Sequence, residues 1–71
     1  MKLNFVIEIR KDGKRRAYAD TIPGSNEILN YISNIGNVNA VWFFSSRKEA
    51  EYTANIWNEA IKHNGNYLDE V

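Results

Sequence analysis

The sequence predicts a small α+β domain of order β-β-α-β-α. Three observations carry this. Leu3, Phe5, Ile7 and Ile9 alternate with polar residues, and Asp12-Gly13 then reverses the chain into a second extended run. Two later segments repeat apolar residues at helical spacing, each closed by a glycine. Between those segments, Val38 to Phe44 is short, apolar and rich in β-formers.

The first strand covers residues 2–10. The turn reads as a three-residue loop, Lys11-Asp12-Gly13, with Gly13 left-handed in a bulge. That register sets Ile9 opposite Arg15, Ile7 opposite Ala17, Phe5 opposite Ala19 and Leu3 opposite Thr21. The other face then pairs Glu8 with Arg16, Val6 with Tyr18 and Asn4 with Asp20. Glu8 and Arg16 form a cross-strand ion pair in this reading. A two-residue loop would instead place Asp20 opposite Phe5, and burying a carboxylate there counts against it.

Pro23-Gly24 punctuates the chain, and Ser25 is a candidate N-cap with Glu27 in the first turn. Ile28, Tyr31, Ile32 and Ile35 share one helical face, and Gly36 ends the helix. Strand three spans residues 38–44; both of its faces are apolar, so either side could be the buried one. Ser46 to Glu49 matches a capping box. The helix after it runs to about His63, with Ala50, Thr53, Ala54, Trp57, Ala60 and Ile61 on one stripe. Asn64-Gly65 closes it. Residues 66–71 read as a loose tail in which Tyr67 and Leu68 can tuck back and Asp69 and Glu70 lie in solvent. Docking strand three beside strand one gives a three-stranded antiparallel sheet of order 2-1-3. Both helices are expected to pack on the Phe5/Ile7 face.

A chain of 71 residues allows one domain, here 1–71. It buries only about 60% of its unfolded surface, so a partner subunit would help it. There is no cysteine, which removes disulfides and thiolate metal sites and fits a reducing cytoplasm. Nine basic and nine acidic side chains leave net charge zero, which disfavours bulk duplex nucleic acid as partner and favours self-association. No run is long enough for a membrane span, and the N-terminus lacks signal-peptide organisation. Ten asparagines with eight isoleucines fit an AT-rich coding genome, a statement about source alone.

No catalytic, metal or cofactor residues are predicted. His63 is the only histidine; it sits in a last helical turn, where its charge suits the dipole, and Glu59 is its one neighbour in sequence. Glu8, Glu49, Glu51 and Glu59 are accounted for by pairing, capping or solvent. Serines 25, 45 and 46 mark helix starts with no histidine base nearby. All four glycines sit at turns, so no phosphate-cradling loop is present.

Surfaces are more informative. With both helices on one face, the other would expose Val6, Glu8, Arg16 and Tyr18 from the hairpin and Trp42 and Phe44 from strand three. Such a patch marks a binding surface. It could close a homodimer, bind another protein or stack single-stranded bases; alternatively the second helix wraps over it. The hairpin tip carries Arg10, Lys11, Lys14, Arg15 and Arg16 against Asp12. These are the alternative nucleic-acid contacts, or simply charges that keep an edge from pairing. Tyr52, Ile56 and His63 form a weaker line along the second helix.

Two resemblances accompany this reading. Phe44 to Glu51, with Trp57-Asn58-Glu59-Ala60 and Lys62 to Gly65, resembles short uncharacterised proteins of Gram-positive gut bacteria and their mobile elements, a group that implies no activity. Asp12 to Arg16 with Ser46 to Ala50 is similar to the arm-binding domain of tyrosine recombinases. That likeness implies a three-stranded sheet entering a DNA groove, with Lys14 and Arg16 as contacts. It departs from the family in its extra helix, its zero net charge and the absence of a following catalytic domain. The expectation is a non-enzymatic interaction module, self-associating or bound to another protein. The alternative is a nucleic-acid-binding accessory protein, and a third is a small inhibitor carried by a mobile element.

Overall fold

A computed structural model describes residues 2–69. Its elements are β1 (Leu3–Lys11), β2 (Lys14–Ile22), a 3₁₀ turn (Ser25–Glu27), α1 (Ile28–Ile35), β3 (Val38–Phe44) and α2 (Arg47–His63). The three strands form one antiparallel sheet of order β2-β1-β3. Class, element order and strand order are those the sequence predicts.

The hairpin register is shifted by one from the expectation. Lys11 pairs with Lys14, Ile9 with Arg16, Ile7 with Tyr18 and Phe5 with Asp20. The turn is the two-residue Asp12-Gly13, with φ of 54° and 79° at the two positions. Both residues are left-handed, which matches the twist of the strands it joins. In this register Asp20 is not buried without partners. Asp20 sits at the sheet margin, where its carboxylate accepts from the Tyr31 hydroxyl and the Thr21 amide and lies 3.5 Å from Arg47.

A one-residue slip exchanges the faces of a whole strand. The helices accordingly divide between the two faces rather than sharing one. Phe5, Ile7, Ile9 and Ile22 pack under Ile28, Tyr31 and Ile35 of α1, with Leu68 added from beyond α2. The Phe5 and Tyr31 rings meet edge to face at 5.1 Å. On the other side, Val6 and Ala17 pack against Ala50 and Ala54 of α2, with Ala19, Phe44 and Trp57 around them. Alanines on β2 facing alanines on α2 let helix and sheet approach closely. The small residues of β2 do make room for a helix, on the face opposite to the one expected.

Capping is partly as predicted. Ser46 accepts from the Glu49 amide at 3.2 Å and starts α2. The reciprocal half of the box is absent, because the Glu49 carboxylate takes the Ser45 hydroxyl instead. Ser25 opens the 3₁₀ turn and caps nothing with its side chain. Gly36 takes a positive φ of 72° after α1, a conformation that carries little penalty without a Cβ. Residues 66–68 do not trail free. Asn66 and Leu68 bond to the main chain of Arg15, and Leu68 is buried. Glu70, expected in solvent, lies outside the described residues.

Candidate docking edge

The sheet has two outer edges, and they are treated differently. Along β1, main-chain groups alternate between neighbours. Arg10 donates to Asn37 on the β3 side, so even-numbered β1 residues face β3 and odd-numbered ones face β2. It follows that Arg15, Ala17, Ala19 and Thr21 turn their main chain outward on β2. Val41 and Phe43 do so on β3.

The β2 edge is covered at Arg15 and Ala17 and in part at Thr21, while among the described residues nothing bonds to the outward main chain of Ala19. The Arg15 amide donates to Asn66 at 2.8 Å, and Leu68 donates to the Arg15 carbonyl at 2.9 Å. The Asn58 side chain reaches down from α2 and makes a strand-like pair with Ala17. Its Oδ1 accepts from the Ala17 amide at 2.8 Å, and its Nδ2 donates to the Ala17 carbonyl at 2.9 Å. The Thr21 amide donates to Asp20 at 2.8 Å. Arg16 adds a lid: its guanidinium lies over the Tyr18 and Tyr67 rings and donates to the Asp69 carbonyl.

The β3 edge has none of this. Among the described residues, nothing bonds to the main chain of Val41 or Phe43. The strand carries no charge and no proline, the usual devices that discourage an edge from pairing. Apolar surface flanks it. Phe43 is 58% exposed on the α1 face and Trp42 is 37% exposed on the α2 face. Trp42 meets Trp57 edge to face, with ring centres 4.4 Å apart. Helix geometry of about 100° per residue carries the surface of α2 from Asn58, over β2, round through Trp57 to Ile56 on the β3 side. Ile56 is 48% exposed and Tyr52, one turn before it, 68%.

These facts rearrange the residues the sequence singled out. Val6, Glu8, Trp42 and Phe44 share one face, but α2 covers it and Val6 is fully buried. Arg16 and Tyr18 lie on the opposite face. The expected open sheet face therefore does not exist; of its members, Trp42 alone is exposed, at 37%, on β3. The Glu8–Arg16 pair does not form. Glu8 instead accepts from Arg10 at 3.1 Å and Asn39 at 2.7 Å, with Arg15 at 3.9 Å. The basic tip is assembled as cross-strand pairs, Arg10 opposite Arg15 and Lys11 opposite Lys14.

A cleft of about 240 Å³ lies between the sheet and the second half of α2, lined by Glu8, Arg15, Ala17 and Trp42 from the three strands and by Trp57, Ala60 and Ile61 from the helix. That is below the roughly 300–1,000 Å³ of small-molecule sites. Among the described residues no cluster of three His, Asp or Glu could hold a metal ion. Among them also, no helix is long and apolar enough to cross a membrane. His63 sits exposed in the last turn of α2, away from any acidic cluster.

Sequence reasoning missed Asn58, Asn66 and the Asp20–Tyr31–Arg47 group. Asn58 had one faint signal, a short amide beside the apolar stripe between Trp57 and Ile61. Comparison with family models, curated proteins and solved structures finds no match.

Proposed function

We propose that this chain is a non-enzymatic protein-interaction module that docks a partner strand on the edge of β3. One observation carries the reading. The protein covers Arg15 and Ala17 of the β2 edge with its own C-terminal segment and an asparagine side chain, yet leaves a charge-free apolar edge on β3. Strand addition draws affinity from main-chain hydrogen bonds and specificity from alternate side chains. Val41 and Phe43 offer the first, and Trp42, Phe43 and Ile56 offer apolar contacts for the second.

A synthetic peptide of residues 38–44 with lysines at both ends tests whether the edge accepts a strand. Titrated into isotope-labelled protein, it is expected to shift the amides of Val41 and Phe43. It should leave those of Arg15 and Ala17 in place. In monomeric protein, no shift at millimolar peptide, or shifts confined to the hairpin, would overturn the reading.

The hairpin supports a second reading. Like charges placed directly opposite one another destabilise a strand pair. Glu8 offsets Arg10 and Arg15, but Lys11 and Lys14 make no ion pair among the described residues. A polyanion such as nucleic acid would relieve them. Labelled single- and double-stranded oligonucleotides at low and moderate salt test this. Affinity falling steeply with salt supports it, and absence of binding at low salt rules it out.

A further inference from the structure

We infer that the strand docked on β3 is β3 of a second copy, paired antiparallel about a twofold axis at Trp42. The inference rests on the docking reading above and names its partner.

The strand is complementary to itself. A twofold axis at Trp42 sets Val41 opposite Phe43 of the other copy, and Phe43 opposite its Val41. Those are the two residues whose main chain points outward, so their amides and carbonyls exchange all four hydrogen bonds. Trp42 then faces its own equivalent as the closely spaced pair on the α2 side. Axes at Val41 or Phe43 would give each outward residue a different partner and reach beyond the strand to Ser45 or the irregular position Asn39. The sheet would grow to six strands, with both of its remaining edges being the largely covered β2 edges.

Electrostatics do not oppose this contact. No residue of Val38–Phe44 is charged, so no like charges meet across the axis, and the whole chain has net charge zero. A twofold contact is also closed: once the two β3 edges are used, no further copy can add. That answers the hazard an apolar free edge would otherwise create.

The chain has no cysteine, so one introduced thiol reports the register without interference. Closely spaced antiparallel partners stand about 4.5 Å apart at Cα, within the roughly 4.4–6.8 Å that a disulfide spans. Mild oxidation of Trp42→Cys should therefore give a covalent dimer. Ala40→Cys should give none, since its two copies stand four residues apart along the strands, about 13 Å. Light scattering on the native chain at several hundred micromolar should report twice its 8.2 kDa. Phe43→Lys should halve that mass, and this comparison stands even if Trp42→Cys does not fold. A monomeric native chain, a dimer that survives Phe43→Lys, or an Ala40→Cys variant that cross-links as readily as Trp42→Cys would each overturn the inference. A native monomer whose Val41 and Phe43 still answer the peptide would overturn the dimer alone. A monomer that ignores the peptide would remove the docking reading as well.

Discussion

The two edges of this sheet begin with the same physical problem and meet it in opposite ways. An edge strand presents a row of unpaired amides and carbonyls. On β2, Asn58 imitates a neighbouring strand at Ala17, residues 66–68 occupy Arg15, and Asp20 takes the Thr21 amide. On β3 the outward groups of Val41 and Phe43 have no such cover among the described residues. The difference teaches that the fold has the means to close an edge and applies them to one side only. Zero net charge and a small core make the contrast more telling, because neither favours leaving apolar strand surface in water.

The largest expected effect is on the covered side. Asn58→Ala strips both bonds from Ala17, which is only 3% exposed, and leaves an amide and a carbonyl without partners. It should destabilise the fold by about 3 kcal/mol, read as a lower urea midpoint at unchanged slope. An unchanged midpoint would mean that the Asn58 seal is ornamental. Leu68→Ala removes the apolar anchor of the C-terminal segment and should cost about 2 kcal/mol, with faster exchange of the Arg15 amide.

A smaller effect is pH-dependent. Burial, reinforced by its bond to Asp20, pushes the Tyr31 hydroxyl well above the usual tyrosine range. The folded state therefore holds this proton more tightly than the unfolded chain does. Its contribution is complete below about pH 10, the unfolded value, and is lost as pH rises toward the folded one. Tyr31→Phe should flatten the alkaline decline in stability, because that linkage disappears; an equally steep decline would contradict the assignment. Smallest of all, Phe43→Lys should leave monomer stability within about 0.5 kcal/mol, since Phe43 is exposed and its main chain is untouched. A loss comparable to that of Asn58→Ala would mean that β3 is supported within the monomer after all.

Element order and strand order were legible in the sequence because each rests on a strong local signal. These are the alternation in β1, the Asp12-Gly13 turn, and the glycines after each helix. The hairpin register was not. It turned on whether Asp20 could stand opposite Phe5, and the groups that make this tolerable, Tyr31 and Arg47, come from distant elements. That single residue of register carried the rest with it. It moved Ala17 and Ala19 to the Val6 face, gave α2 its own side of the sheet and removed the open face on which Arg16 and Tyr18 had been placed with Trp42. Trp42 kept its exposure because it lies on the outer strand, a matter of strand order rather than register. Asn58 was illegible for a plainer reason: an asparagine on a helix shows nothing in sequence of the strand edge it will meet.

Amide hydrogen exchange compares the two edges in one experiment. In dilute protein, the Arg15 and Ala17 amides should be strongly protected while those of Val41 and Phe43 exchange near the rate of an unstructured chain. Protection of Val41 and Phe43 should then rise with protein concentration. Rapid exchange at Ala17, or protection of Val41 and Phe43 that persists at the lowest concentration, would contradict the account of one largely covered edge and one left open.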